Sequence, residues 1–370
     1  MNEHDASDLY ITVDSPPCYR VNGMVRPAGN TALDEETTRK IAYGIMNDKQ
    51  QSEFERKNEL NLALRVDGLG RYRVNIFKQR GAIGLVIRRI KTNIPTLEDL
   101  HLPEVLKDLS MSKHGLILYV GATGSGKSTS LTGMIDYRNS NQAGHIITVE
   151  DPIEFIHQHK KSIVSQREVG MDTDSFHDAL KNALRQAPDV ILIGEIRDLE
   201  TMEAAINFAE TGHLCLATMH SNNANQALER VMNFFSSDRH RQIYLQLSLN
   251  IRAIISQRLV PTIDNSRIPA VEIMIGSPRI QDLILKGETR EIKEAMEKGG
   301  ITGMQTFDMH LFDLYTQGKI SQDTALKNAD SANNLRLKIK LAEEREISDG
   351  PNPFGDLSGR KGPTVGFNKT

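Results

Sequence analysis

Cysteine is scarce in this sequence: Cys18 and Cys215 are the only two. Two thiols are too few for a four-cysteine zinc site, and they fit a reduced compartment better than a disulfide scaffold. Charge of one sign is also lacking. Lys and Arg number 45 against 48 Asp and Glu, for a formal net charge of -3. That balance gives no general attraction for nucleic acid, and no basic stripe singles out a DNA translocase. No apolar run approaches the roughly 20 residues that span a bilayer. The opening stretch, 1–9, is polar and acidic, unlike a signal peptide.

What is present is enough apolar material, 39% of 370 residues, for a globular chain of more than one domain. Residues 1–90 read as a small α/β domain. A strand is expected over 9–13, stopped by Pro16-Pro17, and a hairpin over 18–25 turns at Asn22-Gly23. Asp34 opens a helix with Glu35 and Glu36 in its first turn, where the helix dipole favours acids. Strands follow over 62–66, 71–77 and 84–90. Arg71, Arg73 and Asn75 alternate with Tyr72, Val74 and Ile76, the period of a half-buried strand.

A polar linker over 91–102 leads to a second domain, 103–347. Apolar strands at 114–120, 143–149, 188–193 and 213–219 alternate with helices, one of them over 175–186, which predicts a parallel sheet with helices on its faces. From Ser248 onward the expectation is mainly helix. Residues 348–370 are rich in Gly and Pro and read as a disordered tail.

The first chemical motif is Gly121-Ala122-Thr123-Gly124-Ser125-Gly126-Lys127-Ser128, which fits G-x-x-x-x-G-K-[ST]. Its glycines let successive main-chain N–H groups converge, and the following helix offers its N-terminus to phosphate. Lys127 is placed to reach the β- and γ-phosphates of ATP, and Ser128 to hold Mg²⁺. With Thr129, these residues are the expected nucleotide contacts. Val190-Ile191-Leu192-Ile193-Gly194-Glu195 is an apolar strand ending in a carboxylate suited to the Mg²⁺ shell. Ile147-Thr148-Val149-Glu150 is another, and Glu150 is the candidate general base for a water attacking the γ-phosphorus. Glu154 is expected on a solvated loop. His213 and His220 bracket a further strand. Either can sense the γ-phosphate or link the site to a neighbour. Seven residues apart they lie on opposite strand faces, a poor metal pair.

Together these four segments resemble the Walker A, Asp, Walker B and His boxes of secretion-superfamily ATPases. Glu195 in place of Asp is a mark of that group. Ala6-Ser7-Asp8-Leu9, Arg20-Val21-Asn22-Gly23, Gly70-Arg71-Tyr72-Arg73-Val74-Asn75 and Gly303-Met304-Gln305-Thr306-Phe307-Asp308 are similar to the type IV pilus retraction ATPases of the PilT/PilU group. The resemblance covers residues 7 to about 345. It implies a PAS-like N-terminal α/β domain and a RecA-like P-loop domain with a helical C-terminal part. It further implies a homo-hexamer with nucleotide between the domains and ATP hydrolysis that powers retraction through an inner-membrane platform protein. The setting implied is the cytoplasm, at the inner face of the membrane by way of that partner.

The resemblance also implies that N-terminal arginines reach the γ-phosphate. Arg71, Arg73 and Arg88 match, and the sequence does not rank them. Ser277-Pro278-Arg279-Ile280-Gln281-Asp282-Leu283-Ile284 departs from the PilT-type motif and, with the tail, is more like the PilU branch. That leaves open an accessory ATPase dependent on a paralogous retraction motor. A pilus-assembly or type II secretion ATPase is a further alternative, against which stand the missing tetracysteine site and the missing extra N-terminal domain. The short first helix usual in the group is not apparent before Ala6.

Overall fold

The computed structural model describes residues 1–301 and 303–348. The expected Gly/Pro-rich tail after residue 348 lies outside them. The first sheet has six strands in the order β3-β2-β1-β6-β5-β4. They are β1 (Asp8–Ile11), β2 (Cys18–Val21), β3 (Met24–Pro27), β4 (Glu59–Val66), β5 (Gly70–Gln79) and β6 (Ala82–Arg89), each pairing antiparallel. Asn22 and Gly23 both take positive φ, 49° and 80°, in the hairpin turn, as their small or local-bonding side chains permit.

Helices α1 (Glu35–Gly44) and α2 (Asp48–Lys57) cover one face of this sheet. Asp34 caps α1 by accepting from Thr37 N, and a reciprocal Asn47–Gln50 pair caps α2. Phe54, Ala42 and Met46 pack on Leu60, Leu62, Val74, Ile76 and Leu85. The alternation along β5 therefore turns Arg71, Arg73 and Asn75 to the opposite face. Arg73 lies directly across from Arg88 in the register of β5 and β6.

The second sheet has seven strands in the order β13-β12-β7-β11-β10-β8-β9. They are β7 (Gly115–Val120), β8 (Gly144–Glu150), β9 (Ser162–Glu168), β10 (Val190–Ile193), β11 (Leu214–Met219), β12 (Ile251–Pro261) and β13 (Arg267–Ile275). The pairs β9–β8, β8–β10, β10–β11, β11–β7 and β7–β12 are all parallel. Both faces are buried, which is why these strands read as unbroken apolar runs. Leu116, Leu118, Ile191 and Ile193 face one core with α5 (Phe176–Ala183), α6 (Leu199–Glu210) and α7 (Ala224–Asn233). Ile117, Tyr119, Val190 and Leu192 face another with α3 (Val105–Ser110) and α4 (Lys127–Asn141). Helices α8 (His240–Asn250), α9 (Pro278–Lys286) and α10 (Ile292–Lys298) complete the first core.

The α/β class is as the sequence indicates, but the mainly helical reading after Ser248 is corrected. Residues 251–275 supply two long strands. Their residues are buried on both sides, which hides the period of two that marks a strand. The C-terminal part is helical only beyond them. By compactness the chain divides into Met1–Leu259 with Val271–Thr306, and Val260–Ala270 with the segment from Phe307 on. The latter unit contains α11 (Phe307–Thr316), α12 (Gln322–Asn328) and α13 (Ala332–Ser348). Its core is built from Val260, Ile268, Phe307, Leu311, Leu335 and Ile339. Among the described residues no helix is long and apolar enough to cross a membrane.

Candidate active site

The carboxyl ends of β7, β11, β10 and β8 lie side by side, the edge at which open α/β sheets bind ligands. Each delivers one predicted group. After Val120 the chain turns through Gly121, Gly124 and Gly126, with φ of 155°, 77° and 89°. A Cβ on Gly121 would meet the Gln257 carbonyl oxygen at 2.5 Å, so the loop passes too close to β12 for any side chain there. Helix α4 starts at Lys127 with Gly126 at its cap and no side-chain capping bond. Its first N–H groups are thus left to a ligand.

A side chain missed in the sequence holds this loop. Gln257, buried on β12, donates from Nε2 to Ser125 O at 2.8 Å. Its Oε1 accepts from Ser130 Oγ at 2.9 Å and from the Tyr119 hydroxyl. One amide therefore ties strand, loop and helix together. No local motif marks it, because it lies more than a hundred residues along the chain, on a strand whose period is hidden by two-sided burial.

Lys127, Ser128, Thr123, Gly124, Glu150, Glu154, Glu195 and His220 line one cavity of about 300 Å³. Lys127 Nζ donates to the carbonyls of Gly121 and Ala122 at 2.8 and 3.0 Å. Burial lowers its pKa, and the nearby carboxylates Glu195 and Glu154 partly offset this. Glu195 Oε1 lies 2.9 Å from His220 Nε2, and Oε2 accepts from Arg197 Nε at 2.8 Å with Arg197 Nη2 at 2.7 Å in the same ion pair. Arg197, in turn, has its pKa raised by that hydrogen bond. The sequence shows Arg197 two residues past Glu195 but gives no sign that it forks onto that carboxylate.

Glu150 is the group most altered by its surroundings. Burial pushes its pKa up to about 7, against hydrogen bonds from Thr148 Oγ1 at 2.6 Å and Gln166 Nε2 at 3.3 Å that favour the charged form. The next peptide, Asp151-Pro152, is cis. Gly194 N donates to Val149 O at 2.8 Å, and a Cβ on Gly194 would stand 3.1 Å from Glu150 Cα. The acid-bearing ends of β8 and β10 can approach this closely only with glycine there. Glu154 is exposed on its loop and lines this cavity.

The predicted arginines separate. Arg73 and Arg88 line a neighbouring cavity of about 630 Å³, together with Thr129, Pro152 and Glu154. Arg88 Nε donates to Asp8 Oδ1 at 2.7 Å, which raises the arginine's pKa. Arg73 Nε lies 4.0 Å from Glu168 Oε1. Arg71 is not among the residues lining either cavity. Gly121 and Ala122 border a further cavity shared with His220 and α7. His213 stands at the far end of β11, beside Phe208 O and Thr211 Oγ1 at 3.3 and 3.1 Å, away from the acids.

The donor set suits a magnesium-bound triphosphate: uncapped helix N–H groups, a lysine, a hydroxyl and two strand-end carboxylates border one space. The sequence model of the family described as "Type II/IV secretion system protein" matches residues 3–349. The chain is 57% identical to the type IV pilus ATPase PilU of Pseudomonas aeruginosa, over 94% of this chain and 91% of that one. It is 43% identical to the type IV pilus retraction ATPase PilT of the same species, over 89% and 96%. A crystal structure of the pilus retraction motor PilT with bound ADP superposes with a TM-score of 0.85 at 41% identity, covering 91% of this chain and 96% of that one.

Two measurements check the site. Glu150 has a folded-state pKa above its ordinary value of 4.5. Its contribution to stability is thus complete below about pH 4.5 and lost as pH rises through 7. Glu150→Gln is expected to melt roughly 5 °C above the wild type at pH 8, with the gap closing toward pH 5. A gap independent of pH would contradict the assignment. Replacing Gln257 with Leu leaves the Ser125 carbonyl and two hydroxyls without partners, at a cost of about 2–3 kcal/mol. Chemical denaturation should show that loss, and nucleotide titration should show weaker binding.

Proposed function

Because the chain belongs to the type II/IV secretion system protein family, and is an ATPase of it, we propose that it drives or assists type IV pilus retraction as a cytoplasmic homo-hexamer. The observation that carries this reading is the meeting of Lys127, Ser128, Glu150, Glu195 and His220 around one cavity. The likeness to PilU and PilT over nearly the whole chain supports the mechanical role. In this reading residues 1–90 and 103–347 act as two modules joined by 91–102.

ATP binds with its phosphates on the N–H groups from Gly121 to Thr129. Lys127 exchanges its two loop carbonyls for β- and γ-phosphate oxygens. Ser128 and Glu195 would hold Mg²⁺, which when bound would neutralise phosphate charge. Glu150, with a pKa near 7, accepts a proton from water as the water oxygen bonds to the γ-phosphorus. The bond from that phosphorus to the β–γ bridging oxygen breaks, and ADP and phosphate leave. Thr148 and Gln166 keep the base oriented. His220 and Arg197 keep Glu195 oriented, and the histidine is placed to register the terminal phosphate. Arg73 and Arg88 contribute from the N-terminal sheet, and Arg71 lines neither cavity.

The higher identity to PilU than to PilT favours a second mode within this function, in which the chain works beside a paralogous retraction ATPase on the inner-membrane platform protein. Helix α9 fits that difference. Its PilU-like segment is a regular helix, capped by Ser277 with Pro278 in its first turn and Arg279 and Asp282 at its surface.

Lys127→Ala is expected to lower ATP turnover by at least about a hundredfold, since it removes the charge facing the phosphates. Phosphate release from the purified protein measures this, and full turnover would refute the site. In cells, deleting the gene should reduce pilus retraction under load. Retraction that persists unchanged with and without the paralogue would refute the motor role.

A further inference from the structure

Glu168 is the last residue of β9 and is 2% exposed. It pairs in register with Glu150, and Val169 N donates to Glu150 O at 2.9 Å. Its two carboxylate oxygens have unequal surroundings. Oε2 accepts from Ile153 N at 3.2 Å. Oε1 has no hydrogen-bond partner. Facing it is Arg73 Nε of the N-terminal sheet, at 4.0 Å. That is beyond hydrogen-bond reach.

A buried carboxylate oxygen left unpaired is costly, so the pocket that holds it is shaped for a partner. An approach of about 1 Å by Arg73 would give a charge-assisted bond. The neighbouring arginine offers a contrast. Arg88 is already bonded at 2.7 Å to Asp8, on its own sheet. Arg73 reaches instead toward the other sheet. The segment that Glu168 grips with its second oxygen, through Ile153, carries Pro152 and Glu154 on the wall of the nucleotide cavity. One buried side chain thus touches the catalytic loop with one oxygen and faces the N-terminal sheet with the other.

We propose that Glu168 is a positioning residue that transmits the place of Arg73, and with it of the N-terminal sheet, to the loop following Glu150. When Arg73 closes on Oε1, the carboxylate is fixed and Ile153 with it. When Arg73 is withdrawn, the loop loses that brace. Glu168 is not among the residues lining the nucleotide cavity. The inference rests on the ATPase reading above and deepens it, by giving the two sheets a common element.

The test compares Glu168→Gln, Arg73→Ala and the double variant. Glutamine keeps an oxygen for Ile153 N and removes the charge that attracts arginine. Each single change is expected to lower kcat about tenfold, as small misplacements of catalytic groups do, with KM within twofold. The double variant should be no slower than the worse single one, because both changes break one link. Losses that multiply, or that fall on KM alone, would overturn the proposal.

Hydrogen exchange of the Asp151, Ile153, Glu154 and Phe155 amides supplies a readout independent of turnover. It should quicken in Arg73→Ala, whose Glu168 is intact, and unchanged exchange there would overturn the proposal even if Glu168→Gln does not fold. A wild type without turnover would instead fault the ATPase reading, and the exchange result would still decide the link.

Discussion

Everything in this site depends on a carboxylate that has too little water around it to ionise freely. Glu150 is driven toward neutrality by burial at the end of β8, and its pKa of about 7 places it where a proton can be both taken and returned. The same burial is a liability to the fold, which the Thr148 and Gln166 hydrogen bonds only partly offset. The close passage of β10 at Gly194 contributes to that environment, and so does the loop after Asp151. A fold that tolerates a half-stable acid at the edge of its sheet is trading stability for chemistry.

Around that acid the parallel sheet does the assembling. Four neighbouring strands end at one edge, so groups distant in sequence arrive together without any of them needing a special loop. The phosphate-binding turn is the exception, relying on glycines at positive φ and anchored by Gln257 from β12. The N-terminal sheet brings a different resource, two arginines side by side on the face away from its own helices. Asp8 keeps one of them on its own sheet. The other faces a buried acid of the ATPase sheet. In the proposed motor, that asymmetry assigns the two arginines different parts.

The sequence made the phosphate loop legible because its spacing is local: eight consecutive residues contain the glycines, the lysine and the hydroxyl. Glu150 and Glu195 were legible for a similar reason, as acids that end apolar runs. His220 was a weaker signal, since strand spacing alone does not show its contact with Glu195. What stayed hidden depends on distance along the chain. Gln257 reaches Ser125 from 132 residues away. Asp8 selects Arg88 from 80 residues away. Arg71, Arg73 and Arg88 look alike on alternating strands, and only packing tells them apart. Strands β12 and β13 were obscured because burial on both faces erases the period-two pattern. Glu168 sat in plain view after Arg167, but nothing local shows that one of its oxygens is buried without a partner.

The central claim is that Glu150 activates the attacking water beside a triphosphate held by Lys127, Ser128 and Glu195. A crystal structure with magnesium and a non-hydrolysable ATP analogue measures it most directly. The expected result places a Glu150 oxygen within about 3.2 Å of a water in line with the γ-phosphorus in at least one subunit. A Glu150 side chain turned away from the terminal phosphate in every subunit would contradict it.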